Sequence, residues 1–182
     1  MIERQPHREI INAFAKKMKN TWQIIFLPAI VLYGVSLLHL FQSKPGPREA
    51  VFPYLKNIDL VSFVLAIAFA VVIFNMKRRY FSSRFSKRMV DASLKQNPRQ
   101  DEARLIRQIL VILQKKMTLV WLLGFLIVLD GVAFYWITFN PGNNMHIYFV
   151  IGALSMLINY PRSELFEDLP WYVAEEKRRF EK

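Results

Sequence analysis

The feature that most limits what this chain can fold into is its division into four apolar runs and the basic segments between them. Thr21–Phe41 holds no Asp, Glu, Lys or Arg, and Ile58–Met76 holds only Asp59, at its edge. Met117–Ile137 holds only Asp130, and Met145–Tyr160 is a shorter uncharged run with aromatic residues near its ends. A helix rising ~1.5 Å per residue needs about 20 apolar residues to cross ~30 Å of hydrocarbon. A soluble helical bundle of 182 residues has no use for uncharged runs of that length, and 53% hydrophobic against 21% charged residues exceeds what a small core requires. The expected fold is therefore an all-α polytopic membrane protein with four transmembrane helices, at about 21–41, 58–76, 117–137 and 145–160.

Orientation follows from the cations. Lys44, Arg48 and Lys56 are the only Lys or Arg in the first loop, and the third loop, TFNPGNN, has none. The other 22 of the 25 fall in the amino-terminal segment, the second loop and the tail. Cations close to span ends stay on the cytoplasmic side. Both termini and the second loop are thus expected in the cytoplasm, with the chain in the cell inner (cytoplasmic) membrane. The same division supports the fourth run as a span, because without it strongly basic segments would fall on both sides. About twenty polar and amphipathic residues precede the first run, which is not the layout of a cleavable signal. The absence of cysteine excludes disulfides, thiolate nucleophiles and Cys-based zinc or iron–sulfur sites.

The segments outside the spans have patterns of their own. In residues 1–20, Ile10, Ile11, Phe14 and Met18 share a helical face, which suits either a helix in the headgroup layer or a direct extension of the first span. Residues 77–116 read as an extended cytoplasmic helical hairpin. Lys77–Lys95 continues the second span without Gly or Pro, Asn97-Pro98 breaks the pattern, and Asp101 with Glu102 mark the start of a helix that runs into the third span. The amphipathic tail, 161–182, offers Ser163 as a cap and Pro170 as a helix opener, with Trp171 and Tyr172 expected at the membrane interface. Pro28 frees a backbone carbonyl inside the first span and is expected to bend it.

Candidate functional residues are few. An ionisable group within a span is a functional candidate by default, which singles out Asp130; Tyr33, Ser36 and, nearer the surface, Ser62 are its expected intramembrane polar partners. It has no cation at its depth, so a structural hydrogen bond, proton or substrate handling, and contact with another subunit all remain open. His39 and His146 fall at the outer ends of their spans and would share a metal or ligate haem only if the first and fourth spans were neighbours. Lys77, Arg78, Arg79, Lys115 and Lys116 are placed to meet anionic lipid headgroups, at about 1 kcal/mol each. Ala66, Ala68, Ala70, Gly124, Gly131, Gly152, Ala153 and Ser155 permit close helix approach.

No nucleotide-binding loop, HExxH or nucleophile elbow is present. Nucleic acid is not an expected partner, because the inside-positive bias accounts for a charge of +11. The sparse polar content fits best an integral membrane subunit or scaffold of a larger complex. Its partners would be the bilayer and other membrane subunits or its own copies, with no cofactor expected. Two further classes fit: a small oligomeric transporter, channel or proton-coupled protein using Asp130, and a membrane enzyme or redox subunit binding haem or quinone near His39 and His146.

Overall fold

The computed structural model describes residues 5–43, 53–97, 100–139, 144–163 and 166–180. Lys44, Arg48, Pro98 and most of the third loop lie outside the described residues. Among the described residues six helices follow one another: α1 Gln5–Ser43, α2 Leu55–Tyr80, α3 Ser83–Gln96, α4 Glu102–Thr138, α5 Asn144–Ile158 and α6 Leu169–Phe180. There is no strand among the described residues. Helices α1, α2 and α4 are long and apolar enough to cross a membrane. Helix α5 is equally apolar, but its 15 residues reach only roughly 22 Å at the helical rise. Asn159 and Tyr160 must complete any crossing.

The chain forms two compact units. The first, here the basic unit, joins Met1–Trp22, Asn75–Thr118 and Tyr160–Lys182. Its core is aliphatic and follows helical periodicity. Ile11, Ala15, Met18 and Trp22 are buried along α1, and Leu105, Ile106, Ile109, Leu110, Leu113 and Met117 along α4. Val90 and Leu94 of α3 and Phe166, Leu169 and Val173 around α6 complete it, with α3 packed directly on α6. Edge-on aromatic pairs, Phe14 with Phe166 at 5.1 Å and Trp22 with Tyr160 at 5.0 Å, hold the tail to α1. The amino-terminal segment is therefore a direct extension of α1, not a separate helix.

Helix α4 starts where acidic residues favour it. The Arg104 amide donates to the Asp101 carboxylate at 3.3 Å, and Glu102 in the first turn lies 3.5 Å from His7 and 3.6 Å from Lys177. The expected unbroken helix over Lys77–Lys95 is not what forms. It stops at Tyr80, and Ser82 takes extended backbone (φ −106°, ψ 148°) while its Oγ accepts from the Phe85 amide at 3.4 Å. A serine gains more as a cap than inside a helix, because its short hydroxyl reaches the otherwise unpaired first-turn amides. Tyr80 and Phe85 pack edge to face across this corner at 5.2 Å.

The second, apolar unit joins Gln23–Phe74 and Leu119–Asn159. Helix α4 is the buried one: half of its most apolar stretch is covered, against 17% for α2 and 11% for α1. It meets α5 through glycines. A Cβ added at Gly152 would stand 2.5 Å from the Gly124 carbonyl oxygen, and one at Gly131 would stand 2.7 Å from the Tyr148 Cβ. These contacts are near backbone separation, as the small residues predict. The Trp121 indole donates to the Asn159 carbonyl at 2.9 Å, pinning the end of α5 to α4. Phe139, with φ at 49°, ends α4 in the left-handed region, its amide donating to the Tyr135 carbonyl at 2.7 Å. Helix α1 remains helical through Pro28, whose ring is exposed.

Candidate functional site

The polar side chains of the apolar unit sort into two groups. The first ties α1 to α4 and α5. Tyr33 Oη and His146 Nδ1 are 2.8 Å apart, and the Tyr33 ring stacks on Phe149 at 3.8 Å between centroids. His39 Nδ1 and Tyr135 Oη are 2.7 Å apart. Ser36 donates to the Leu32 carbonyl at 2.8 Å and accepts from the Trp136 indole at 2.9 Å. The helices that carry the two histidines are thus neighbours, but each imidazole is engaged by a tyrosine of a different helix. No group of three His, Asp or Glu among the described residues is arranged to hold a metal.

The second group surrounds Asp130. Tyr33 and Ser36 have other partners, as just described, and Ser62 is the member of the expected set that lies beside the Asp130 carboxyl. Tyr148 joins it. Its side chain is only 2% exposed and abuts Gly131, and its hydroxyl lies near Ser62 and within electrostatic range of the Asp59 and Asp130 carboxyls. Asp59 accepts a hydrogen bond from the Asn144 amide, tying α2 to α5. Beside these residues lies a cleft of about 350 Å³, lined by Lys56, Asp59, Phe63, Asn144, Ile147 and Tyr148.

The cluster is incompletely satisfied. Ser62 Oγ and Asp130 Oδ2 are both buried without a hydrogen-bond partner, and Ser62 is 5% exposed. Orphaned buried oxygens are destabilising unless something occupies or bridges them. The arrangement of one carboxyl within an apolar wall, two hydroxyls beside it and a second carboxyl at an open cleft can bind or pass a small positive species.

Asp59, Asn144 and Tyr148 are absent from the sequence-derived set. Their spacing carried a signal: Asp59 and Ser62 are three apart on α2, and Asn144 and Tyr148 four apart on α5, so each pair shares a helical face. Which face meets α4 depends on helix rotation, which no single helix encodes.

The basic residues expected at lipid headgroups belong to the basic unit. Lys77, Arg78, Arg79 and Lys115 are exposed, whereas Lys116 is half-buried with its Nζ 4.7 Å from the centre of the Tyr80 ring.

Among the described residues the chain is all-helical, with several helices apolar enough to cross a bilayer. No protein-family model, curated protein or solved structure matches it.

Proposed function

We propose that this chain is an integral membrane subunit or scaffold with four spans. Its basic unit would lie in the cytoplasm of a cell whose inner membrane carries it, where it would bind partners through α3, α6 and the tail. The observation that carries this reading is the packed core of the basic unit. Segments that only joined spans would have no need of one. The contact-defined basic unit also contains 22 of the 25 Lys and Arg residues, so the packing and the charge rule divide the chain at the same places. Its cleft of about 210 Å³, lined by aromatic residues such as Tyr80, Phe81 and Tyr172 together with Ser82, Ser86 and Asp168, offers a seat of mixed polarity for a partner side chain. On the apolar unit, Val61, Val64 and Phe74 of α2 and Val31, Val35 and Leu38 of α1 are exposed, as lipid-facing or subunit-facing residues must be.

Purification from native membranes in mild detergent, followed by native mass spectrometry, tests the reading. A defined heteromeric complex is expected. Replacing the exposed Arg84 and Arg88 of α3 by Glu should release the partner while leaving the fold intact. Recovery only as a homo-oligomer would overturn the subunit reading in favour of the second one, a small transporter or proton-coupled protein, which Asp130 and its adjoining cleft favour.

A further inference from the structure

We propose that Asp130 is a proton-binding site, reached from the α2–α5 cleft through the hydroxyls of Ser62 and Tyr148, with Asp59 as the proton-exchanging group at the cleft.

Two unpartnered oxygens, Ser62 Oγ and Asp130 Oδ2, are buried side by side in an otherwise apolar setting. A proton on Asp130 Oδ2 turns that acceptor into a donor, and Ser62 Oγ becomes its acceptor. A bound proton therefore removes the charge from a buried, unpartnered oxygen and gives Asp130 a donor to share with Ser62. Ser62 can then donate its own O–H toward Tyr148, which shares the wall of the cleft with Asp59. Asp59 is oriented by Asn144 and lines the cleft, where water can reach it. The line of oxygens thus runs from a buried carboxyl to an accessible one.

The transfer balances along this line. An O–H bond breaks at Asp59, each hydroxyl oxygen accepts one proton and releases its own, and an O–H bond forms at Asp130 Oδ2. Both hydroxyls are neutral before and after, and no other reactant is consumed. The ionisable groups that reach Asp130 are Asp59 of α2 and Tyr148 of α5, with Lys56 in the same cleft; Tyr33 and His39 of α1 belong to the other polar group, engaged with His146 and Tyr135. A metal cation is a poorer occupant. Hard cations take about six oxygen ligands, and the buried pocket presents one carboxyl and two hydroxyls, whereas a proton requires a single donor–acceptor pair.

The test is infrared spectroscopy of the full chain in nanodiscs over a pH series at fixed ionic strength. A protonated-carboxyl C=O band is expected that vanishes in Asp130→Asn and persists in Asp59→Asn. In D₂O its isotope shift should appear promptly in the wild type and more slowly in Ser62→Ala and Tyr148→Phe. If Asp130→Asn fails to fold, ¹³C-aspartate labelling of a variant in which Asp59, Asp91, Asp101 and Asp168 are Asn makes the same assignment. Absence of any such band, or isotope exchange equally fast in all variants, would overturn the proposal. So would a band removed by added sodium ions at constant pH, which would assign the pocket to a metal cation. Recovery of a heteromeric partner bears on the subunit reading alone and leaves these outcomes unaffected.

Discussion

Helix α4 passes through both units, and its two halves are packed by different rules. Between Glu102 and Thr118 the buried positions are Leu105, Ile106, Ile109, Leu110, Leu113 and Met117, an aliphatic stripe with charged residues such as Arg104, Arg107 and Lys115 exposed off it. Beyond Leu119 the close contacts are made by Gly124 and Gly131, and the side chains that link helices are Trp121, Tyr135 and Trp136, each through a hydrogen bond. The first half is what water requires, because burying apolar area there is itself the driving force. The second is what lipid requires. Apolar area gains nothing from leaving hydrocarbon for a protein interior, so helices associate through close backbone approach and polar links.

This contrast can be broken most sharply by truncating aliphatic residues on the two sides. Leu105→Ala, at a fully buried position in the basic unit, should destabilise that unit by about 2–5 kcal/mol. Val64→Ala, on the exposed face of α2, should leave thermal unfolding in nanodiscs unchanged. Equal losses would mean that α2 is buried against something and that its face is not bathed in lipid.

Gly152→Leu should come next. It forces a side chain against the Gly124 carbonyl and Val128, and overpacking of this kind typically lowers stability by about 1–3 kcal/mol. The loss should be confined to the apolar unit, visible as dequenching or a shift of Trp121 fluorescence while the hydrogen-exchange protection of α3 and α6 is retained. Unfolding of both units together would argue against their independence.

Smaller again is the response at Asp130. Asp130→Asn retains the size and hydrogen-bonding capacity of the side chain, so melting should change little. Asp130→Leu removes the link between the protonated carboxyl and Ser62 proposed above and should lower stability by about 0.6–2 kcal/mol. A small loss should also come from Trp136→Phe, which removes the link to Ser36, worth about 0.6 kcal/mol on membrane averages, and trims the ring contact with His39.

The long apolar helices were legible in the sequence because a continuous uncharged run of that length satisfies its backbone in lipid as a helix, whereas a barrel strand would alternate polar and apolar residues. The start of α4 was legible too, since Asp101 and Glu102 state it locally. The corner at Ser82 was not, because serine is acceptable inside a helix and becomes a cap only when the chain has somewhere better to go; here α3 lays Val90 and Leu94 into the core and packs on α6. Whether residues 1–20 formed a separate interfacial helix depended on the partners of Ile11 and Met18, which come from outside that segment. The site divides in the same way. Asp130 and Ser62 stood out as polar residues in apolar runs, but Tyr148 reads as one more interfacial aromatic until Gly131 is seen to admit it.

The two-solvent account stands or falls on which parts of the chain meet the cytoplasm. Single cysteines are well suited to the question because the native chain has none. Cysteines placed at Ser43 and at the exposed Asn57 should react with an impermeant maleimide added to intact cells, and one placed at the exposed Gln96 of α3 should react only after the membrane is permeabilised. Labelling of Gln96→Cys in intact cells, with Ser43→Cys and Asn57→Cys protected until permeabilisation, would contradict the proposed orientation of both units.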